Sequence, residues 1–205
     1  MLKWKHLTAV ALMAAFTLNQ AAWAAPEIGK PAPEFTLVDS NGTSHNLSDF
    51  KGKVVVLEWL NHGCPFVVKH YESQNMQKLQ KEYTEKGVVW LSIVSSAEGQ
   101  QGFMTPEETN KAKEEKGAAP TAVLLDTDGK VGQLYDAKVT PEMFIINAEG
   151  ILVYHGAIDS IRSTKVDDVA KAENYVKAAL DEVLAGKPVT TAKTQAYGCS
   201  VKYKK

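Results

Sequence analysis

The sequence predicts an α/β fold: a mixed central sheet flanked by helices, with an N-terminal β-hairpin and a C-terminal tail. Three observations carry this. The apolar runs 54–60 and 88–94 are nearly continuous, as expected of strands covered on both faces. Segments of helical composition follow them, and that alternation layers helices on a sheet. Later, Met143–Ile146 and Ile151–Tyr154 are joined by Asn147-Ala148-Glu149-Gly150, a hairpin signal, which makes the sheet mixed.

The chain has 205 residues, a length that suits one domain, and 44% hydrophobic and 23% charged residues are ordinary for a globular protein. Residues 1–24 read as a secretory signal peptide: Lys3 and Lys5 give a basic start, Leu7 to Leu18 is apolar but short for a membrane span, and Ala22-Trp23-Ala24 fits a small-x-small cleavage site. An uncleaved anchor is the alternative. A cleaved leader implies the periplasm, an oxidising compartment, and no stable membrane insertion afterwards. The net charge of −1 leaves no footprint for nucleic acid.

The domain is expected over residues 25–186. Phe35-Thr36-Leu37-Val38, the turn Asp39-Ser40-Asn41-Gly42 and a return over Ser44–Asn46 form the first hairpin. After the strand 54–60, residues 65–86 favour one long helix that Gly87 stops. Thr105-Pro106-Glu107-Glu108 fits a capping box with proline at the first helical position, and that helix should end near Gly117. Ala122-Val123-Leu124-Leu125 is a strand and Val131–Tyr135 a short helix. The last helix is expected over Val166–Leu184, capped by Gly186 and ended by Pro188. Residues 187–205 are polar, read as loop, and carry Cys199.

Cys64 stands where a buried strand gives way to a helix. The first helical turn has unpaired N–H groups and the positive end of the dipole, both of which favour a thiolate over a thiol. Such cysteines can have strongly lowered pKa values, and the thiolate is the form that attacks disulfides and peroxides. Pro65 suits the first helical position. Cys64 is therefore the candidate nucleophile, expected at the mouth of a crevice. Cys199 is the only other cysteine. Gly198 beside it lets the backbone come close to another surface.

The strand, aromatic residue, Cys64-Pro65 and helix resemble the active-site turn of the thioredoxin-like superfamily, in particular the redoxins (the AhpC/TSA group and extracytoplasmic thioredoxin-like reductases). Glu58 lies six residues before Cys64, where thioredoxins carry a buried acid. Thr140-Pro141 stands before an apolar strand, as the family's cis-proline does. Gly29-Lys30-Pro31-Ala32-Pro33-Glu34-Phe35-Thr36-Leu37 is similar to the start of redoxin domains. The resemblance implies a thioredoxin-like fold, and a Thr140 backbone that lies beside Cys64 and pairs with an extended peptide. Two departures matter. The second thioredoxin cysteine is replaced by Val67, and the peroxiredoxin proline and threonine positions hold Leu57 and Asn61.

Val67 cannot close a disulfide, so an internal one must use Cys199. It serves either as the resolving thiol or as a permanent staple of the tail. Glu58 is expected to be buried with a raised pKa and to pass protons to a nearby thiol, unless Lys138 or Lys69 pairs with it. Catalytic candidates are thus Cys64, Cys199 and Glu58. Thr140, Pro141, Trp59, Phe66 and His62 are the candidate substrate-binding residues, with His62 also able to lower the thiol pKa when charged. No cofactor is called for. Cys64, His62, His70 and Cys199 could be imagined around copper or zinc, but their spacing fits no standard metal motif.

Three functions follow. One is a periplasmic thiol–disulfide oxidoreductase acting on a protein thiol or disulfide. Another is a peroxiredoxin-like thiol peroxidase acting on a small peroxide. The third is a non-enzymatic binding or metal-carrier module with a fixed bridge.

Overall fold

A computed structural model describes residues 25–204, so the signal-peptide reading of residues 1–24 lies outside the described residues. Among those described, no helix is long and apolar enough to cross a membrane.

The described residues form nine strands and five α-helices. They are β1 (Thr36–Asp39), β2 (Ser44–Asn46), β3 (Val55–Trp59), α1 (Pro65–Glu72), α2 (Asn75–Glu85), β4 (Val89–Val94), α3 (Pro106–Glu115) and β5 (Ala122–Leu125). Then come α4 (Lys130–Leu134), β6 (Val139–Thr140), β7 (Glu142–Ile146), β8 (Leu152–Gly156), α5 (Tyr175–Leu184) and β9 (Cys199–Ser200). Seven strands form one mixed sheet in the order β2-β1-β5-β4-β3-β7-β8. The apolar strands β3, β4 and β5 run parallel at its centre, and the two hairpins close its edges antiparallel. The central strands are buried on both faces, which is why their sequences read as continuous apolar runs.

Side chains alternate across β3. Val56 faces the cluster built with Tyr71 and Val67 of α1, Met76, Leu79 and Tyr83 of α2, and Val176 and Leu180 of α5. Val55, Leu57 and Trp59 face the other cluster, with Phe35, Val131, Tyr135 and Phe144.

Two helix expectations need correction. The segment 65–86 is two helices, because Gln74 adopts the left-handed conformation at φ 61° and turns the chain between them. The segment 166–184 is also divided. A 3₁₀ turn at Val166–Lys171 precedes α5, which starts afresh where the Asn174 side chain accepts from the Lys177 N–H. The capping box at Thr105 and Glu108 is present. The tail is not a loose loop. Its backbone exchanges hydrogen bonds with His155, Lys138 and Ala97, and β9 pairs with β6 in a separate two-stranded ladder.

Candidate active site

Cys64 is placed by the turn that leaves β3. The Asn61 side chain accepts from the Gly63 N–H at 2.8 Å, and the Cys64 N–H donates to the Asn61 carbonyl at 3.0 Å. Cys64 then takes the N-cap position of α1, with Pro65 following. Cys64 thereby sits at the positive end of the α1 dipole.

On the other side stands the peptide between Thr140 and Pro141, which is cis. As a thiol, Cys64 donates to the Thr140 carbonyl oxygen at 2.9 Å. β9 runs antiparallel to β6 with Cys199 directly opposite Thr140. This closeness depends on Gly198, at φ +156°, because a Cβ there would overlap the Thr140 carbonyl. Both cysteines are free thiols.

Burial disfavours a charge on Cys64. The Cys199 thiol, the N–H groups of Val67 and Cys199 and the Thr140 hydroxyl favour it, and the balance holds Cys64 below the ordinary 9.0. Cys199 moves the other way. Burial, together with donation of its hydrogen to Cys64 and the charge there, pushes it up to about 11. The two thiols are therefore unequal, with Cys64 the first to ionise.

The expectation of a sulfur at a crevice mouth needs correction. Cys64 is 0% exposed, because the tail lies across it, whereas Cys199 is half-buried.

Glu58 is fully buried. It accepts hydrogen bonds from Trp90 Nε1 at 2.8 Å, Ser92 Oγ at 2.8 Å, Gln80 Nε2 at 3.1 Å and the Tyr71 hydroxyl at 3.0 Å. Burial raises its pKa against these four donors. Neither lysine considered for it is its partner. Lys69 pairs with Asp159 at 3.1 Å and Lys138 with Asp136 at 2.6 Å. Among the hydrogen bonds of the described residues, none joins Glu58 to either sulfur.

The aromatic and histidine candidates fall in different places. Trp59 is in the core against Tyr135 and Phe144, with its Nε1 donating to Ser95, so it offers no surface to a substrate. That is a correction, and its cause is strand alternation: Trp59 points to the face opposite Cys64. Phe66 is half-buried and meets Tyr197 of the tail edge-on at 5.7 Å. His62 packs against Tyr71 at 5.0 Å, and burial, with a minor contribution from Lys116, depresses its pKa to about 4. It is thus neutral near pH 7, which removes the idea that its charge acidifies Cys64. His70 is buried beside Asp159, with Nε2 3.7 Å from Oδ2. Among the described residues, no three His, Cys, Asp or Glu side chains gather as a metal-holding group.

The Redoxin family model matches residues 27–176. The chain belongs to the Redoxin family. The matched span includes Cys64, Glu58 and Thr140, while Cys199 and the rest of the tail lie beyond it. Among curated relatives, the thiol-disulfide oxidoreductase ResA of Bacillus thuringiensis (strain Al Hakam) is 33% identical over 143 residues, covering 62% of this chain and 82% of that protein. ResA of Bacillus subtilis (strain 168) is 32% identical, covering 67% and 73%. Among solved structures, an uncharacterized conserved protein of Geobacillus kaustophilus is similar at a TM-score of 0.74 with 31% identity, over 87% of this chain and 93% of that one.

Within this redoxin, sequence reasoning missed Lys69, Asp159 and Tyr197 as a buried group. The one available signal was Tyr197, an aromatic residue two before Cys199 in a largely polar tail.

Proposed function

We propose that this oxidoreductase exchanges thiols with disulfides, using Cys64 as the attacking thiolate and Cys199 as the resolving thiol. The observation that carries the reading is the apposition of the two cysteines across Thr140: Cys64 donates to the Thr140 carbonyl, and Cys199 stands opposite Thr140 in the β6–β9 ladder. The names of the ResA relatives support the same chemistry. The basic start, apolar run and Ala22-Trp23-Ala24 support a periplasmic site of action.

In this reading, a protein disulfide reaches Cys64 when β9 is off the Thr140 edge, and the Val139–Thr140 backbone receives the incoming extended segment in its place. The Cys64 thiolate attacks one substrate sulfur. A Cys64–substrate disulfide forms, the substrate's own S–S bond breaks, and the other substrate sulfur leaves as a thiolate that takes up a proton. β9 then returns. Cys64 no longer carries charge, so one of the causes raising the Cys199 pKa is gone. Cys199 loses its proton and attacks the Cys64 sulfur, forming Cys64–Cys199 and releasing the second substrate thiol. The substrate disulfide gains two electrons and two protons, and the protein's two thiols supply them. Pro141 shapes the edge, and Phe66 holds the returning tail. Glu58 holds a proton beneath the site, hydrogen-bonded to Tyr71, Gln80, Trp90 and Ser92.

The test is a Cys199→Ser variant mixed with periplasmic proteins. Accumulation of a mixed disulfide on Cys64 supports the reading. If instead the wild type consumes a small peroxide far faster than a free thiol does and leaves disulfides untouched, the peroxidase alternative replaces it.

A further inference from the structure

Beneath the tail lies a polar group that the exchange steps do not use. Lys69 of α1 is 0% exposed, and Asp159, three residues past β8, is 3% exposed. The Lys69 ammonium sits 3.1 Å from Asp159 Oδ2 and donates to the Ile161 carbonyl at 2.9 Å and the Tyr197 hydroxyl at 3.1 Å. The Tyr197 hydroxyl donates to Asp159 Oδ1. The Tyr197 ring meets the Phe66 ring edge-on, and the Lys69 ammonium is 5.3 Å from its centroid.

Burying an ion pair costs free energy, and apolar side chains of equal volume often hold a fold as well or better. A tail that needed only to be covered would not require this arrangement. The group adds direction: a phenolic hydroxyl satisfied by both a cation and an anion fixes the ring end to one point. That point is tied to α1, the helix whose N-cap is Cys64. The chain bends at Gly198, directly before β9. Tyr197 and Cys199 flank Gly198, the residue pressed onto Thr140, so anchoring Tyr197 fixes the approach of Cys199.

We propose that Tyr197, clasped by Lys69 and Asp159, is the positioning residue that aims Cys199 at Cys64. The inference rests on the reading of Cys64 and Cys199 as a reacting pair. Through Lys69, one helix carries the nucleophile and also anchors the strand that delivers its resolving partner.

The experiment compares reduced wild type with Tyr197→Phe in mixtures of reduced and oxidised glutathione. Forming the Cys64–Cys199 bond removes two electrons and two protons from the protein and converts one glutathione disulfide into two glutathione thiols. Tyr197→Phe keeps the ring against Phe66 and removes only the clasped hydroxyl. It is expected to lower the equilibrium constant for the internal disulfide by roughly tenfold, the scale of a lost hydrogen bond to a charged group. Closure from the Cys64–glutathione mixed disulfide should slow with it. If the variant shares the wild-type equilibrium constant and differs only in unfolding temperature, the tyrosine is structural and the inference falls while the proposed function stands. A wild type that forms no internal disulfide in any mixture overturns both. Should Tyr197→Phe fail to fold, Phe66→Leu removes the ring that Tyr197 leans on and leaves the ion pair intact. It must then lower the constant in the same direction, and an unchanged constant overturns the inference.

Discussion

The Thr140 carbonyl accepts from Cys64 at 2.9 Å while Thr140 itself stands opposite Cys199 in the β6–β9 ladder. One residue therefore contacts both sulfurs' elements, and the separation of the thiols is set by a backbone register rather than by flexible side chains.

The acidity of Cys64 should depend on its neighbour. In the wild type, the thiolate absorbance of Cys64 should rise with a midpoint below 9.0. Cys199→Ala removes the thiol donor, and the midpoint should move up. An unchanged midpoint would assign the acidity to the helix end alone.

Gly198→Ala should separate the two thiols. The new Cβ would overlap the Thr140 carbonyl, and the backbone conformation at φ +156° disfavours any side chain. The expected outcome is a Cys64 that reacts with alkylating agents at least about tenfold faster than in wild type, the effect of losing roughly 1.4 kcal/mol of closure. Mass spectrometry of the labelled cysteine after timed quenching measures it.

Burial, opposed by Asp159 and reinforced by Lys69, depresses the His70 pKa from 6.5 to about 4. The folded protein keeps His70 neutral where the unfolded chain takes up a proton. The contribution to stability is complete above pH 6.5 and is lost as pH falls toward 4, amounting to on the order of 3 kcal/mol. Urea unfolding of wild type and His70→Asn across this range should show the wild type losing more stability on acidification.

Glu58 gives the opposite slope. Its pKa is raised from 4.5, so the fold retains a proton that the unfolded chain has released. Stability from this residue is greatest below 4.5 and declines as pH rises through the folded pKa. The stability of wild type relative to Glu58→Gln should fall with pH in that window. Glu58→Ala should be more damaging, since the Trp90 and Ser92 donors lose their acceptor at roughly 1–3 kcal/mol each.

The central strands and the Cys64 turn were legible because burial on both faces writes itself as uninterrupted Val, Leu and Ile, and because proline after cysteine marks a helix start. The helix breaks at Gln74 and Asn174 were harder to see. Gln carries no positional signal for a left-handed turn, and Asn174 sits inside a pattern that still looks periodic. The exposure of Cys64 was misjudged for a related reason: a polar tail suggests solvent, whereas here its polar groups are spent on the protein. Lys69 shows the limit most clearly. A lysine on a helix reads as solvated, and only the three-dimensional meeting with Asp159 and Tyr197 accounts for its complete burial.

The site is assembled from parts far apart in the chain, with Cys64 and Thr140 alone 76 positions apart. Contacts between such distant segments form late as a polypeptide folds, because long loops must close first. During that interval the sulfur that the finished molecule conceals lies open to the thiols and disulfides of other chains. The order in which segments dock therefore governs how long this protein is vulnerable to intermolecular cross-linking.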